Sequence, residues 1–150
     1  MSDLRDLYQE VILDHHKRPR NFHKLENANR QAEGYNPLCG DKLNVYIYLE
    51  NGIVKDIGFV GVGCAISTAS ASMMTESLKG KSESEAREIF EKFHQLVTHH
   101  FDSQIDAASM GKLAVFSGVR EYPVRVKCAT LAWHTMRAAL DQSQSAVATE

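Results

Sequence analysis

No run of this sequence approaches the ~20 apolar residues that a helix needs to cross a bilayer, so no membrane partner is expected. The first ten residues, Met1 to Glu10, are charged and lack the apolar centre of a secretory leader, which predicts a cytoplasmic, reducing setting. Excess basic charge is missing too. Lys and Arg number 17 against 19 Asp and Glu, a net charge of −2, and without a basic surface to displace counterions no nucleic-acid partner is expected. The glycines of Gly58–Gly63 form neither Gly-x-x-x-x-Gly-Lys-Ser/Thr nor a dinucleotide fingerprint, which argues against a nucleotide site. Cysteine is scarce: the three present cannot all pair within one chain, and no two stand as Cys-x-x-Cys. In a reducing compartment such cysteines read as buried residues, metal ligands or reactive thiols.

What is present suits one folded unit. Apolar residues make up 43% of the chain and charged residues 24%, the balance of a globular protein. Its 150 residues are the size of one hydrophobic core. We expect a domain over residues 1–140 and a small polar tail over 141–150, frayed as chain ends often are.

Ser2 or Asp3 can cap a first helix. Leu4, Leu7, Tyr8, Val11 and Ile12 give it one apolar face, and Pro19 stops it. Arg20 to Gly34 is polar, with room for a short strand near Gln31–Glu33. From Lys42 to Glu50, Leu43, Val45, Ile47 and Leu49 alternate with Asn44, Tyr46, Tyr48 and Glu50, which predicts a strand. Asn51-Gly52 supplies a type I′ turn, and a second strand returns from Ile53 to about Val60. Gly61-Val62-Gly63 then breaks the strand pattern. A helix rich in Ala, Ser and Met follows over Ala65–Leu78, ended by Gly80. Ser82 and Glu85 form a capping box for the next helix, whose stripe is Ala86, Ile89, Phe90, Phe93, Leu96 and Val97. His99–Ala108 reads as a polar connection and Lys112–Val119 as a short helix. Pro123 opens a last helix reaching about Leu140. This order predicts the α+β class: a single compact domain with a small antiparallel β-sheet of about three strands and helices packed on one face.

The cysteines sit at breaks in this pattern. Cys39 lies in a loop entering a strand, Cys64 at a predicted helix N-terminus, and Cys128 in the first turns of the last helix. Free amides at a helix N-terminus favour the thiolate, the form that binds metal or attacks sulfur. Gly40 and Gly63 allow close backbone approach, and Arg125 and Lys127 add positive charge beside Cys128. Asp41, two residues beyond Cys39, adds a carboxylate. Three thiolates and one oxygen suit a tetrahedral zinc site or a site for ferrous iron and sulfide. By spacing alone, three unrelated core thiols stand as an equal alternative.

Three segments carry a resemblance. Asn36-Pro37-Leu38-Cys39-Gly40-Asp41, Gly61-Val62-Gly63-Cys64-Ala65-Ile66-Ser67 and Lys127-Cys128-Ala129-Thr130-Leu131-Ala132-Trp133 resemble, in order, the iron–sulfur assembly family of NifU N-terminal domains, IscU and SufU. Leu7-Tyr8 and Asp14-His15-His16-Lys17-Arg18-Pro19-Arg20-Asn21 are similar to the family's first helix. The resemblance implies that Cys39, Asp41, Cys64 and Cys128 hold the metal. It also implies a cysteine desulfurase (SufS-like) as partner and downstream iron–sulfur scaffold or acceptor proteins as recipients. Where IscU-type members have a histidine before the third cysteine, this chain has Lys127. Its connection around Ser82–Met110 is longer, and Glu121-Tyr122-Pro123-Val124-Arg125-Val126-Lys127 replaces the Leu-Pro-Pro-Val-Lys chaperone motif. These departures resemble the SufU branch, and no dedicated chaperone is expected.

The resemblance therefore implies a zinc-bound acceptor of persulfide sulfur, with Cys39 taking the sulfur and acting catalytically, a sulfurtransferase-like role rather than that of a conventional enzyme. The alternative is a scaffold assembling a labile two-iron two-sulfur cluster, with iron or the cluster as the bound group. A purely structural zinc domain is disfavoured, since such sites are closed by Cys and His. The paired histidines His15-His16 and His99-His100 read as solvated, because adjacent helical residues face apart. His94 and His134 lack a paired ligand at metal spacing. The hydroxyl cluster Ser67–Ser72 has no nearby Asp–His pair, and Met73 and Met74 read as core filler.

Overall fold

The structure, a computed structural model, describes residues 3–37, 39–98, 107–142 and 147–148, with residues 3–8, 107–110, 120–121 and 147–148 as backbone only. Ser2 and His99-His100 lie outside the described residues, as do the side chains of Asp3, Leu4, Leu7 and Tyr8 on which the expected cap and part of the apolar face rest. Helix α1 (Asp3–Lys17) leads to strands β1 (Arg30–Asn36), β2 (Asp41–Glu50) and β3 (Ile53–Val62). Helices α2 (Ala65–Leu78) and α3 (Glu83–Thr98) follow, then a 3₁₀ segment (Ala107–Glu121), helix α4 (Pro123–Leu140) and a two-residue strand β4 (Val147–Ala148). The sheet order is β3-β2-β1-β4, the first three antiparallel and β4 parallel to β1.

The hairpin forms as its sequence requires. Asn51 and Gly52 both take positive φ, 54° and 75°, and Glu50 pairs with Ile53 across the turn. Leu43, Val45 and Ile47 point into the core. Tyr46, on the opposite face, is buried as well: it stands across from Gly58, where the chain at Asn21, His23 and Leu25 crosses the sheet. Strand β3 continues to Val62, two residues past the expected end. Gly61, read as a break, lies at φ 149° against the carbonyl of Lys42, and a side chain there would collide with β2. The glycine therefore extends the strand toward Cys64.

Strand β1 is longer than the expected Gln31–Glu33 and turns Ala32, Gly34 and Asn36 inward. These are small because α4 lies directly on them. A β-carbon on Gly34 would meet the Thr135 hydroxyl and Leu131. Helix α4 covers β1 and β2, α2 packs on β3 and α4, and α1 lies against α2. The Ala/Ser composition of α2 serves this closeness: Ser70 Oγ donates to the Ala129 carbonyl and accepts from Trp133 Nε1 at 3.1 Å. Trp133 stacks on Phe93 with centroids 4.5 Å apart, and Phe116 meets Phe93 edge-on. The capping box is present, Ser82 and Glu85 exchanging bonds of 2.9 and 3.1 Å. Lys112–Val119 falls within the 3₁₀ segment rather than a regular helix. The tail is not wholly frayed, since Val147 and Ala148 pair with Gly34 and Tyr35. Among the described residues no helix is long and apolar enough to cross a membrane.

Candidate metal centre

Three elements converge at one end of the sheet. The turn between β1 and β2 presents Cys39, exposed at its tip, and Asp41, 1% exposed at its base. Amides of Cys39 and Gly40 donate back to the Asn36 carbonyl at 3.3 and 2.9 Å, closing that turn. Cys64 is the N-cap of α2, its sulfur accepting from the Ser67 amide at 3.4 Å. Cys128 comes from the second turn of α4 and is fully buried. Ligand atoms of Cys39, Asp41 and Cys128 all lie within 4.8 Å of one another, and the Cys39 and Cys128 sulfurs are 3.2 Å apart.

Cys64 is joined to this group through bonds. Its amide donates to Asp41 Oδ1 at 2.8 Å. Its thiol pairs with that of Cys128, and this hydrogen bond is the first cause of a Cys64 pKa lowered to about 6, helped by helix-terminal amides and opposed by burial. The Cys128 thiol shifts upward, because it donates to Cys64 and Cys39 and is buried. The lowering expected from a helix start is thus met at Cys64, where the amides act behind the Cys128 bond, and not at Cys128, where the bonds to Cys64 and Cys39 and burial act the other way.

Sequence reasoning gave no role to Asn36. It is fully buried, and its Nδ2 donates to Asp41 Oδ2 at 3.4 Å and to Cys128 Sγ at 3.6 Å. An asparagine next to a proline signals a turn, and only the fold shows it bridging carboxylate and thiol. Gly63 matters as expected: a β-carbon there would stand 3.0 Å from Asp41 Oδ1. Among the described residues no atom lies within 4 Å of the corresponding point on Gly40, whose role is the turn itself.

Other polar groups resolve differently from their sequence reading. His15 is 2% exposed, not solvated, and its Nδ1 lies 2.7 Å from Ser72 Oγ. With Glu76 3.7 Å from His15 Nε2, a serine, a histidine and an acid do meet. Ser72 is fully buried and also accepts the Arg20 amide at 2.8 Å, so the cluster ties α1 to α2 and offers no nucleophile. His94 and His134 also meet, with ring centroids 5.6 Å apart, packed edge-on beside Phe90.

The donor set fits a metal. Thiolates and a carboxylate around tetrahedral zinc lie ~3.3–3.8 Å apart, so atoms already within 4.8 Å close on an ion by side-chain adjustment. An α+β domain that gathers three cysteines and an aspartate at one end of its sheet presents a thiolate-rich candidate metal site. This chain belongs to the NifU-like N terminal domain family, whose pattern matches residues 7–129. It is 40% identical over 136 residues to the zinc-dependent sulfurtransferase SufU of Bacillus subtilis (strain 168), covering 90% of each chain. It is 36% identical over 148 residues to the iron-sulfur cluster assembly scaffold protein IscU of Streptococcus pyogenes serotype M1, covering 97% of this chain and 90% of that one. A crystal structure of the SUF-system protein FiSufU from Fervidobacterium islandicum AW-1 superposes with a TM-score of 0.81 at 35% identity, over 91% of this chain and 98% of the other.

Proposed function

We propose that this chain accepts persulfide sulfur from a SufS-like cysteine desulfurase and passes it to downstream iron–sulfur scaffold or acceptor proteins. Cys39, Asp41, Cys64 and Cys128 would hold zinc, which when bound keeps the thiols ionised at neutral pH. The observation that carries the reading is the asymmetry of exposure. Cys39 stands in solvent at the tip of a turn, while Asp41 and Cys128 are buried beneath it. Cys64, at the start of α2, is half-buried, so Cys39 is the thiol most open to a partner and the others would hold the site.

In the transfer, the Cys39 thiolate attacks the outer sulfur of the desulfurase persulfide. A sulfur–sulfur bond forms on Cys39, the bond within the donor breaks, and the desulfurase cysteine leaves as a thiolate. Asp41, the one oxygen donor of the set, would be the weakest ligand beside three thiolates and so the one most readily exchanged. Asn36, donating toward Asp41 and Cys128, keeps those two oriented. Relatives that carry the scaffold name support the second reading, assembly of a labile two-iron two-sulfur cluster on the same residues.

The test is an anaerobic reaction of the zinc-loaded protein with a cysteine desulfurase and cysteine, without iron, followed by alkylation and mass mapping of persulfide sulfur. Zinc-dependent persulfide on Cys39 is the expected outcome. Sulfur on Cys39 only after zinc is stripped, or none at all, would move the scaffold reading ahead.

A further inference from the structure

Ser67 stands three residues after Cys64, in the first turn of α2, and is fully buried. Its amide serves Cys64 Sγ. Its hydroxyl serves nothing: among the described residues, Ser67 Oγ and Arg30 Nε are the buried side-chain polar atoms without a hydrogen-bond partner. Native interiors pair nearly all such atoms, and an exception calls for an explanation. Arg30 opens β1, the end of that strand remote from Asn36 and the metal-binding turn. Ser67 is beside the site.

Gly63 shows where the hydroxyl can go. The point its absent β-carbon would occupy is 3.0 Å from Asp41 Oδ1 and 3.2 Å from Ser67 Oγ. Carboxylate and hydroxyl thus both border a spot that glycine leaves free. Oδ1 accepts from the Cys64 amide and has a second lone pair, while Oδ2 faces Asn36, which also reaches the Cys128 sulfur. A hydroxyl donating to a carboxylate makes a charge-assisted bond, and rotation about one torsion redirects a serine hydroxyl.

We infer that Ser67 is a positioning residue for Asp41: its hydroxyl donates to Oδ1 when Oδ2 engages a bound metal, fixing the carboxylate and slowing its release. The inference rests on reading Asp41 as a ligand. It also gives Gly63 a reason, since any side chain there would crowd both groups. Partners that hold a ligand in this way change metal affinity by about 10- to 100-fold.

The experiment uses the full chain and its Ser67→Ala, Asp41→Ala and doubly substituted variants, loaded with zinc or cobalt(II) and matched by circular dichroism. Zinc transfer to a chromogenic chelator and the cobalt(II) d–d spectrum are the readouts. In Ser67→Ala, release about tenfold faster and shifted cobalt bands are expected. In the Asp41→Ala background the same substitution should change neither, the mark of a role exercised through Asp41. A wild-type release rate and spectrum in Ser67→Ala, or equal acceleration with and without Asp41, would overturn the inference alone. Wild-type metal retention in Asp41→Ala would overturn the ligand reading and the inference together.

Discussion

Helix α2 carries two groups of buried polar side chains, and they are completed differently. In its middle every hydroxyl is used. Ser72 is shared between His15 and the Arg20 amide, Thr75 meets Asn21 and the Ser72 carbonyl, and Ser70 joins Trp133 to Ala129. At its N-terminal end, sulfurs crowd one another, a buried carboxylate leans on an amide, and the Ser67 hydroxyl is unused. A closed network rigidifies a fold, whereas an incomplete one retains capacity for a further group. The first fastens α1 and the Arg20–Asn21 turn to the body of the protein. The second is the end proposed to bind.

The comparison predicts a crossed result. On the proposed ligand set, Cys39→Ala, at an exposed position, should weaken zinc retention by at least the roughly 10- to 100-fold that a supporting partner is worth, and leave the metal-free protein's stability unchanged. His15→Ala, in the closed group, should do the reverse. Removing a buried hydrogen-bonded partner should lower unfolding stability by about 1–3 kcal/mol in urea titrations, with zinc retention unchanged in a chelator competition. Metal loss in His15→Ala with no change in stability would break the division between the two ends.

A smaller effect sharpens it. Burial, ahead of the neighbouring cations, holds the His15 and His134 pKa values below the ordinary 6.5, that of His134 at about 4. The cations facing His15 are Arg20 and Lys112, with Glu76 and Asp14 opposing them; for His134 they are His94 and Arg137, with Glu91 opposing. The unfolded chain takes up protons near pH 6.5 that the folded chain refuses, so these groups leave stability intact above that pH. Stability falls as the pH drops from about 6.5 toward 4. Melting temperatures across that window should show the decline, and His134→Gln should flatten part of it. An unaltered slope in that variant would remove His134 from the account.

Much of this was legible in the residues, for local reasons. Asn51-Gly52 dictates its turn, Ser82 and Glu85 their cap, and Cys39 and Cys64 each stand beside a glycine. What sequence reasoning missed depends on neighbours distant in the chain. Strand β1 buries Ala32, Gly34 and Asn36, which look like a polar loop until α4 is laid over them. Gly61 resembles a break because its partner, the Lys42 carbonyl, is 19 residues away in the other strand. His15 reads as solvated until α2 supplies Ser72, 57 residues on. Asn36 gains its role only when Cys128 arrives from 92 residues further along.

The central claim is that the open end of α2 closes around a metal using Cys39, Asp41, Cys64 and Cys128. X-ray absorption at the zinc edge of the loaded protein measures that shell directly. The account predicts three sulfurs at about 2.3 Å and one oxygen at about 2.0–2.2 Å, with the oxygen lost in Asp41→Ala. A shell dominated by nitrogen and oxygen, or one that keeps its oxygen without Asp41, would contradict it.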